Sequence, residues 1–199
     1  YFQPPTDLSR PGVYYINTYN PKSRPRYNMP ALTAHEAVPG HHLQIALALE
    51  LGELPHIRRH GMFTAYVEGW GLYSELVADE MGLYEDDLSR FGMLNYQAWR
   101  ACRLVVDTGI HAMGWSRDRA IAFLKENVAF SEAEIINETD RYIIWPGQAL
   151  AYMIGRREIQ ALRDESLQAL GSRFDIKAFH DEVLRHGALP LSTLRKLIE

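Results

Sequence analysis

The sequence is poor in the features that most quickly assign a chain to a class. Cys102 is the only cysteine among 199 residues, so no internal disulfide is possible and a cysteine-built zinc site is excluded. A lone thiol fits a reducing compartment. No apolar run approaches the roughly 18 residues that a membrane-spanning helix needs. The first residues, YFQPPTDLSRPG, lack the basic start and apolar stretch of a signal peptide. They also lack an initiator methionine, so the chain reads as a fragment of something longer. Cytoplasm and periplasm both stay open as locations. The formal net charge of -4 gives no basic footprint for nucleic acid or a membrane surface. There is no block of like charge, no internal repeat, no low-complexity tract and no linker.

What is present is ordinary globular material. The chain is 47% hydrophobic and 23% charged, and long enough for one domain, residues 1–199, with a sizeable core. Residues 1–12 are proline-rich and turn-like. GVYYINTYN, residues 12–20, is rich in β-branched and aromatic residues and predicts a strand. Residues 21–30 hold three prolines and predict a loop. From Pro30 onward the signal is helical. Expected helices cover 31–51, broken at Pro39-Gly40, then 62–81, 87–113 and 116–128. A further helix opens at the capping box Ser131–Glu134. Another has Pro146 in its first turn and runs to about Leu170. Residues 175–186 and 192–198 complete the set. The expected fold is mainly α with a short β element near the N-terminus.

The stretch HEAVPGHH, residues 35–42, carries the chemistry. It begins like His-Glu-x-x-His, in which two histidines one turn apart hold zinc and the glutamate is the base. Here the fourth position after His35 is Pro39. On a regular helix, residues four apart differ by about 40° and 6 Å, but residues six apart by about 120°. His41 therefore cannot partner His35 on an unbroken helix. His42 is only about 20° off, yet about 10 Å along the axis. Pro39 alters this, because it clashes with the carbonyl four residues back, which is that of His35. Gly40 adds conformational freedom at the break. A wide turn there can bring His41 round to His35. The competing reading is a pair of surface residues beside a plain kink.

A third ligand decides between these readings. Glu68 in YVEGWGLYSELVADE sits among Tyr66, Val67 and Trp70, and a buried carboxylate is costly unless paired or bound to metal. Two histidines and a glutamate from a neighbouring helix form a standard catalytic zinc set. Glu75, one heptad on, can orient a ligand histidine. Asp79 and Glu80 read as solvated, and without the histidine motif Glu68 reads as an ordinary helix acid.

HEAVPGHHLQ followed by EGWGLYSE resembles the bacterial domain-of-unknown-function family 885, whose members carry His-Glu-x-x-Pro-Gly-His. The resemblance continues through SRPGVYYINTYN, VDTGIHAMGW and RYIIWPGQALAYMIG, so it covers nearly the whole chain. It implies a zincin-like helical catalytic domain of a metallopeptidase, the C-terminal part of a longer protein whose N-terminal part packs against it. It also implies zinc as the cofactor, His35 and His41 as ligands, and Glu36 as the base. EGWGLY is further similar to the gluzincin aminopeptidase motif whose glutamate binds zinc, which makes Glu68 the third ligand.

Five more residues complete the expected site. Asp107 lies one turn before His111 and can orient its imidazole toward an oxyanion. Tyr152 can donate its phenol to the same oxyanion, and Arg141 can bind a substrate carboxylate. The strand around Tyr15 can offer its edge to an extended peptide. His56, His60, His180 and His186 read as solvated. The expected function is zinc-dependent hydrolysis of peptide bonds. Hydrolysis of a non-peptide amide or ester is the alternative within enzymology, and a non-catalytic helical module is the alternative outside it.

Overall fold

In the computed structural model, residues 1–5, 7–52, 54–55, 57–58 and 61–199 are described; His56 and His60 lie outside them. The described helices are α1 (Met29–Glu36), α2 (His41–Glu50), α3 (Thr64–Glu80), α4 (Asp87–Met113), α5 (Arg117–Asn127), α6 (Glu132–Ile144), α7 (Ala151–Leu170), α8 (Ile176–Leu184) and α9 (Leu191–Ile198). Side chains begin several of them. Asp86 and Ser89 cap α4 reciprocally, Ser116 caps α5, and Ser131 with Glu134 forms the expected capping box of α6.

α3 is the central element. Tyr66, Trp70, Tyr73 and Val77 repeat at helical spacing and pack on Ile159 and Leu162 of α7, Phe179 and Val183 of α8, and Leu194 of α9. Gly71, Leu72, Ser74, Glu75 and Ala78 are buried too, so α3 is covered on nearly every side. α1, α2 and α4 supply that cover opposite α7. A second cluster joins Cys102 and Val106 of α4 to Ala120 and Leu124 of α5 and Ile135 and Tyr142 of α6. A helix buried all round can hold a charged group far from water, and α3 does so at Glu75.

Two expectations change. The strand at 12–20 is reduced to one antiparallel bridge, in which Phe2 and Val13 exchange backbone hydrogen bonds of 2.7 and 2.8 Å. β-propensity needs a partner strand to be realised, and among the described residues nothing extends this bridge. α7 begins at Ala151 rather than at Pro146. Gly147 takes a left-handed conformation, φ 81°, and its amide donates to the Asp107 carboxylate at 3.0 Å, so a tertiary bond delays the helix. No helix among the described residues is long and apolar enough to cross a membrane.

Candidate metal centre

α1 ends at Glu36 and α2 begins at His41, so the break falls where Pro39-Gly40 predicts it. The Val38–Pro39 bond is cis. The link is fixed from outside: Trp70 Nε1 donates to the Pro39 carbonyl at 2.9 Å. Gly40 is required for space, because a Cβ there would stand 1.9 Å from the His35 carbonyl oxygen. The turn brings the His35 and His41 rings to 4.7 Å between centroids, edge to face. His42 points elsewhere, with its Nδ1 2.9 Å from the Tyr1 hydroxyl.

Glu68 comes from α3 to meet this pair. Its Oε2 lies 3.4 Å from His35 Nε2 and 3.3 Å from His41 Nε2. These are ion-pair distances without hydrogen-bond alignment, and Oε2 is buried with no hydrogen-bond partner among the described residues. One donor atom from each of His35, His41 and Glu68 falls within 4.8 Å of the other two. The far side of His35 is held by Glu75, wholly buried on α3, through Nδ1–Oε1 at 2.9 Å. In the neutral imidazole that a metal would bind, Nδ1–H donating to that carboxylate turns the Nε2 lone pair toward Glu68 and His41. Gly71 closes the back of the cluster. A Cβ on it would stand 2.8 Å from His35 Cε1 and Nε2 and 2.9 Å from His41 Cε1.

The electrostatics agree with a cation site. Burial pulls the His35 imidazole down, but Glu68 and Glu75 outweigh it and raise its pKa to about 9. Burial pushes the Glu68 carboxyl up, yet the two histidines hold it well below the usual carboxylate range. Carboxylates that stabilise a proton here also stabilise a metal ion competing for the same nitrogens. Two imidazole nitrogens and one carboxylate oxygen are the donors that a small divalent ion accepts.

The cluster forms one wall of a cleft of about 550 Å³. Glu36 lines it as well, one residue beyond a candidate ligand. Tyr152, at the start of α7, stacks toward His35 with ring centroids 6.1 Å apart. Its hydroxyl accepts from Gln148 Nε2 at 3.1 Å and keeps its own proton to donate. Arg141 lines the cleft from α6 and is tied to Glu138 and Gln148.

Other expected residues lie apart. His111 is exposed, is not among the cleft-lining residues, and its Nε2 donates to the Tyr142 carbonyl at 2.9 Å. Asp107 serves Gly147 instead of orienting that imidazole, because one turn of spacing permits such a contact without enforcing it. Tyr15 is 66% exposed against Phe2, on a segment that forms no sheet edge. His180 and His186 are half-buried rather than solvated: His180 pairs with the Tyr73 hydroxyl at 2.9 Å and His186 with Glu182 at 2.8 Å.

Sequence reasoning missed Arg100, Arg103 and Glu138 in the cleft wall. A signal existed. Met93, Tyr96, Arg100, Arg103 and Val106 follow one another at three- and four-residue steps, so the two arginines fall on the buried stripe of α4.

A family model described as "Bacterial protein of unknown function (DUF885)" matches residues 1–198. The chain belongs to the DUF885 family. Among solved structures, this DUF885 chain is similar to a candidate lipoprotein from Colwellia psychrerythraea, with 46% identity and a TM-score of 0.95. The match covers 97% of this chain and 33% of that one. It is also similar to a candidate lipoprotein of unknown function from Shewanella oneidensis, with 26% identity and a TM-score of 0.80 over 95% of this chain and 35% of that one. The chain thus spans about a third of the length of these two solved structures. No match was found among curated proteins.

Proposed function

We propose that this DUF885 chain carries a zinc-dependent hydrolase site that cuts peptide bonds, with His35, His41 and Glu68 as the metal ligands. One observation carries the reading. Ligand atoms bonded at about 2.0–2.1 Å to a tetrahedral zinc stand roughly 3.3–3.4 Å apart. Glu68 Oε2 stands 3.4 Å from His35 Nε2 and 3.3 Å from His41 Nε2. A bound zinc ion supplies Lewis-acid chemistry, polarising a carbonyl and acidifying water.

The chain's own groups do the rest. Glu36, in the same cleft, takes a proton from the attacking water and returns it to the leaving amine. Tyr152 donates its hydroxyl to the oxyanion that develops on the carbonyl oxygen. Glu75 keeps His35 in the tautomer and orientation that a metal needs. The exposed apolar residues Leu88, Phe91 and Leu94 on α4 favour an expected partner, the remainder of a longer protein packed against this part. Both solved relatives are described as candidate lipoproteins, which favours the periplasmic of the two expected locations.

The test is Glu36→Gln. The variant is expected to keep one equivalent of zinc while peptide hydrolysis falls on the order of 10²- to 10⁴-fold. Unchanged hydrolysis in that variant, or purified protein that takes up no zinc, overturns the proposal.

A further inference from the structure

The cleft has a second wall that the metal ligands do not explain. Arg100 and Arg103 of α4 and Arg141 and Glu138 of α6 all line the cleft. Arg100 and Arg103 are 3% and 2% exposed, so two guanidinium cations lie almost fully out of water. Such charges need acceptors, and the supply is short. Arg103 gives Nε to the Tyr142 hydroxyl at 2.8 Å and Nη2 to Glu138 at 2.9 Å, but its Nη1 is buried without a partner among the described residues. Arg100 reaches Glu75 at 3.4 Å, while its Nε and Nη1 are buried without partners among the described residues. Glu75 is already engaged by His35, and Glu138 is shared with Arg141 at 2.8 Å. The rings of Tyr96 and Trp99 lie 4.4 and 4.5 Å from the Arg100 Cζ and steady the cation, but they offer no lone pair. Three arginines thus share two carboxylates, one of them committed to the metal cluster.

We infer that the wall formed by Arg100, Arg103 and Arg141 binds a carboxylate of the substrate, one or two residues from the bond that is cut. The missing acceptor is a planar anion, and the guanidinium fork matches a carboxylate with paired hydrogen bonds. Tyr152 sets the spacing. Its ring lies 6.1 Å from the His35 ring and 4.5 Å from the Arg103 Cζ. An extended peptide covers about 3.3–3.6 Å per residue, so a bond placed at the metal cluster puts the next one or two residues beside the arginines. The carboxylate is either the peptide's C-terminus or an acidic side chain. The inference takes it as part of a peptide substrate, and so rests on the hydrolase reading.

Binding tests it separately from catalysis. Chelator-treated protein is titrated calorimetrically with N-acetyl dipeptides that have neutral side chains, as free acid and as C-terminal amide. A second pair of dipeptide amides carries Asp or Asn. Removing the metal leaves the arginines as the anion's partners. One member of at least one pair, the anionic one, is expected to bind on the order of 10- to 100-fold more tightly. The first pair reports a C-terminal carboxylate and the second a side-chain carboxylate. In Arg141→Gln, a change at the half-buried edge of the wall, that ratio is expected to shrink, and Arg141→Lys to restore part of it. If chelation disturbs the helix content, the same titrations on Glu36→Gln protein as purified read the same ratio. Equal affinity within both pairs overturns the inference. Hydrolysis by zinc-loaded protein, followed in parallel, separates the two readings. Anion-selective binding without hydrolysis supports the arginine wall while the peptidase reading fails. Hydrolysis with no anion preference overturns the wall and leaves the peptidase.

Discussion

Gly71→Ala isolates the metal cluster from the rest of the fold. The added Cβ would stand 2.8 Å from two atoms of the His35 ring and 2.9 Å from the His41 ring. Ordinary carbon contacts begin near 3.5 Å, so the rings must retreat by about 0.7 Å. His35 has little room to do so, because Glu75 holds its Nδ1 at 2.9 Å and Tyr152 stacks toward it. α3 cannot move instead, since it is buried on nearly every side. A metal site tolerates displacements of about 0.2 Å, so the shift exceeds the tolerance several-fold. Zinc affinity is therefore expected to fall by about 100-fold or more, beyond the usual effect of disturbing a ligand's supporting contact. Fold stability should change little. Overpacking costs about 1–3 kcal/mol, and replacing glycine by alanine within a helix returns about 1 kcal/mol. The net is a loss of no more than about 2 kcal/mol, or about 8 °C in Tm for a domain of this size. Competitive titration with a chromophoric zinc chelator, alongside a thermal melt by circular dichroism, measures both quantities. Unaltered zinc affinity in a folded Gly71→Ala protein would refute the reasoning, as would global unfolding.

Three further outcomes follow from the same geometry. Glu75→Gln keeps the shape of the side chain but removes the charge behind His35; zinc affinity, read by the same chelator titration, is expected to drop about 10- to 100-fold. His41→Ala is expected to lose bound zinc, whereas His42→Ala, whose imidazole pairs with Tyr1, keeps it; metal analysis of the two proteins gives the opposite pattern if the neighbouring histidine is the ligand. Glu138 carries a pH dependence. Burial pushes its carboxyl up, but Arg103 and Arg141 hold it below the usual range. With the folded pKa lower than the unfolded one, its contribution to stability is full above the ordinary glutamate pKa of about 4.3 and fades as pH falls through the lowered value. The Tm gap between wild type and Glu138→Gln should thus be widest near neutral pH and close in acid; a gap independent of pH contradicts the assignment.

The sequence by itself determined the helical architecture, because apolar spacing and capping residues act locally. Asp87–Met113 lies where its periodicity puts it, and the Ser131–Glu134 box starts its helix. It also determined that the helix beginning near Pro30 must break before His41, since proline cannot continue it and Gly40 adds conformational freedom at the break. Spacing alone seated neither His41 nor His42 beside His35 on a regular helix, and the family resemblance favoured His41. Only the tertiary structure decided between them, through Trp70 pinning the Pro39 carbonyl and Glu68 arriving from α3. The same holds for the losses and gains elsewhere. Asp107 and His111 are one turn apart, yet each is taken by a backbone group from beyond Ile135 in the chain, so the expected pair never forms. Gly147, held by Asp107, moved a helix start that Pro146 had suggested. Arg100 and Arg103 stood on a buried stripe in plain sight, but what they face depends on how α4, α6 and α7 close around one cleft. Local rules act within a few residues of chain; the His35–His41–Glu68 cluster and the arginines beside it are assembled by side chains up to about a hundred residues apart, and packing sets those distances.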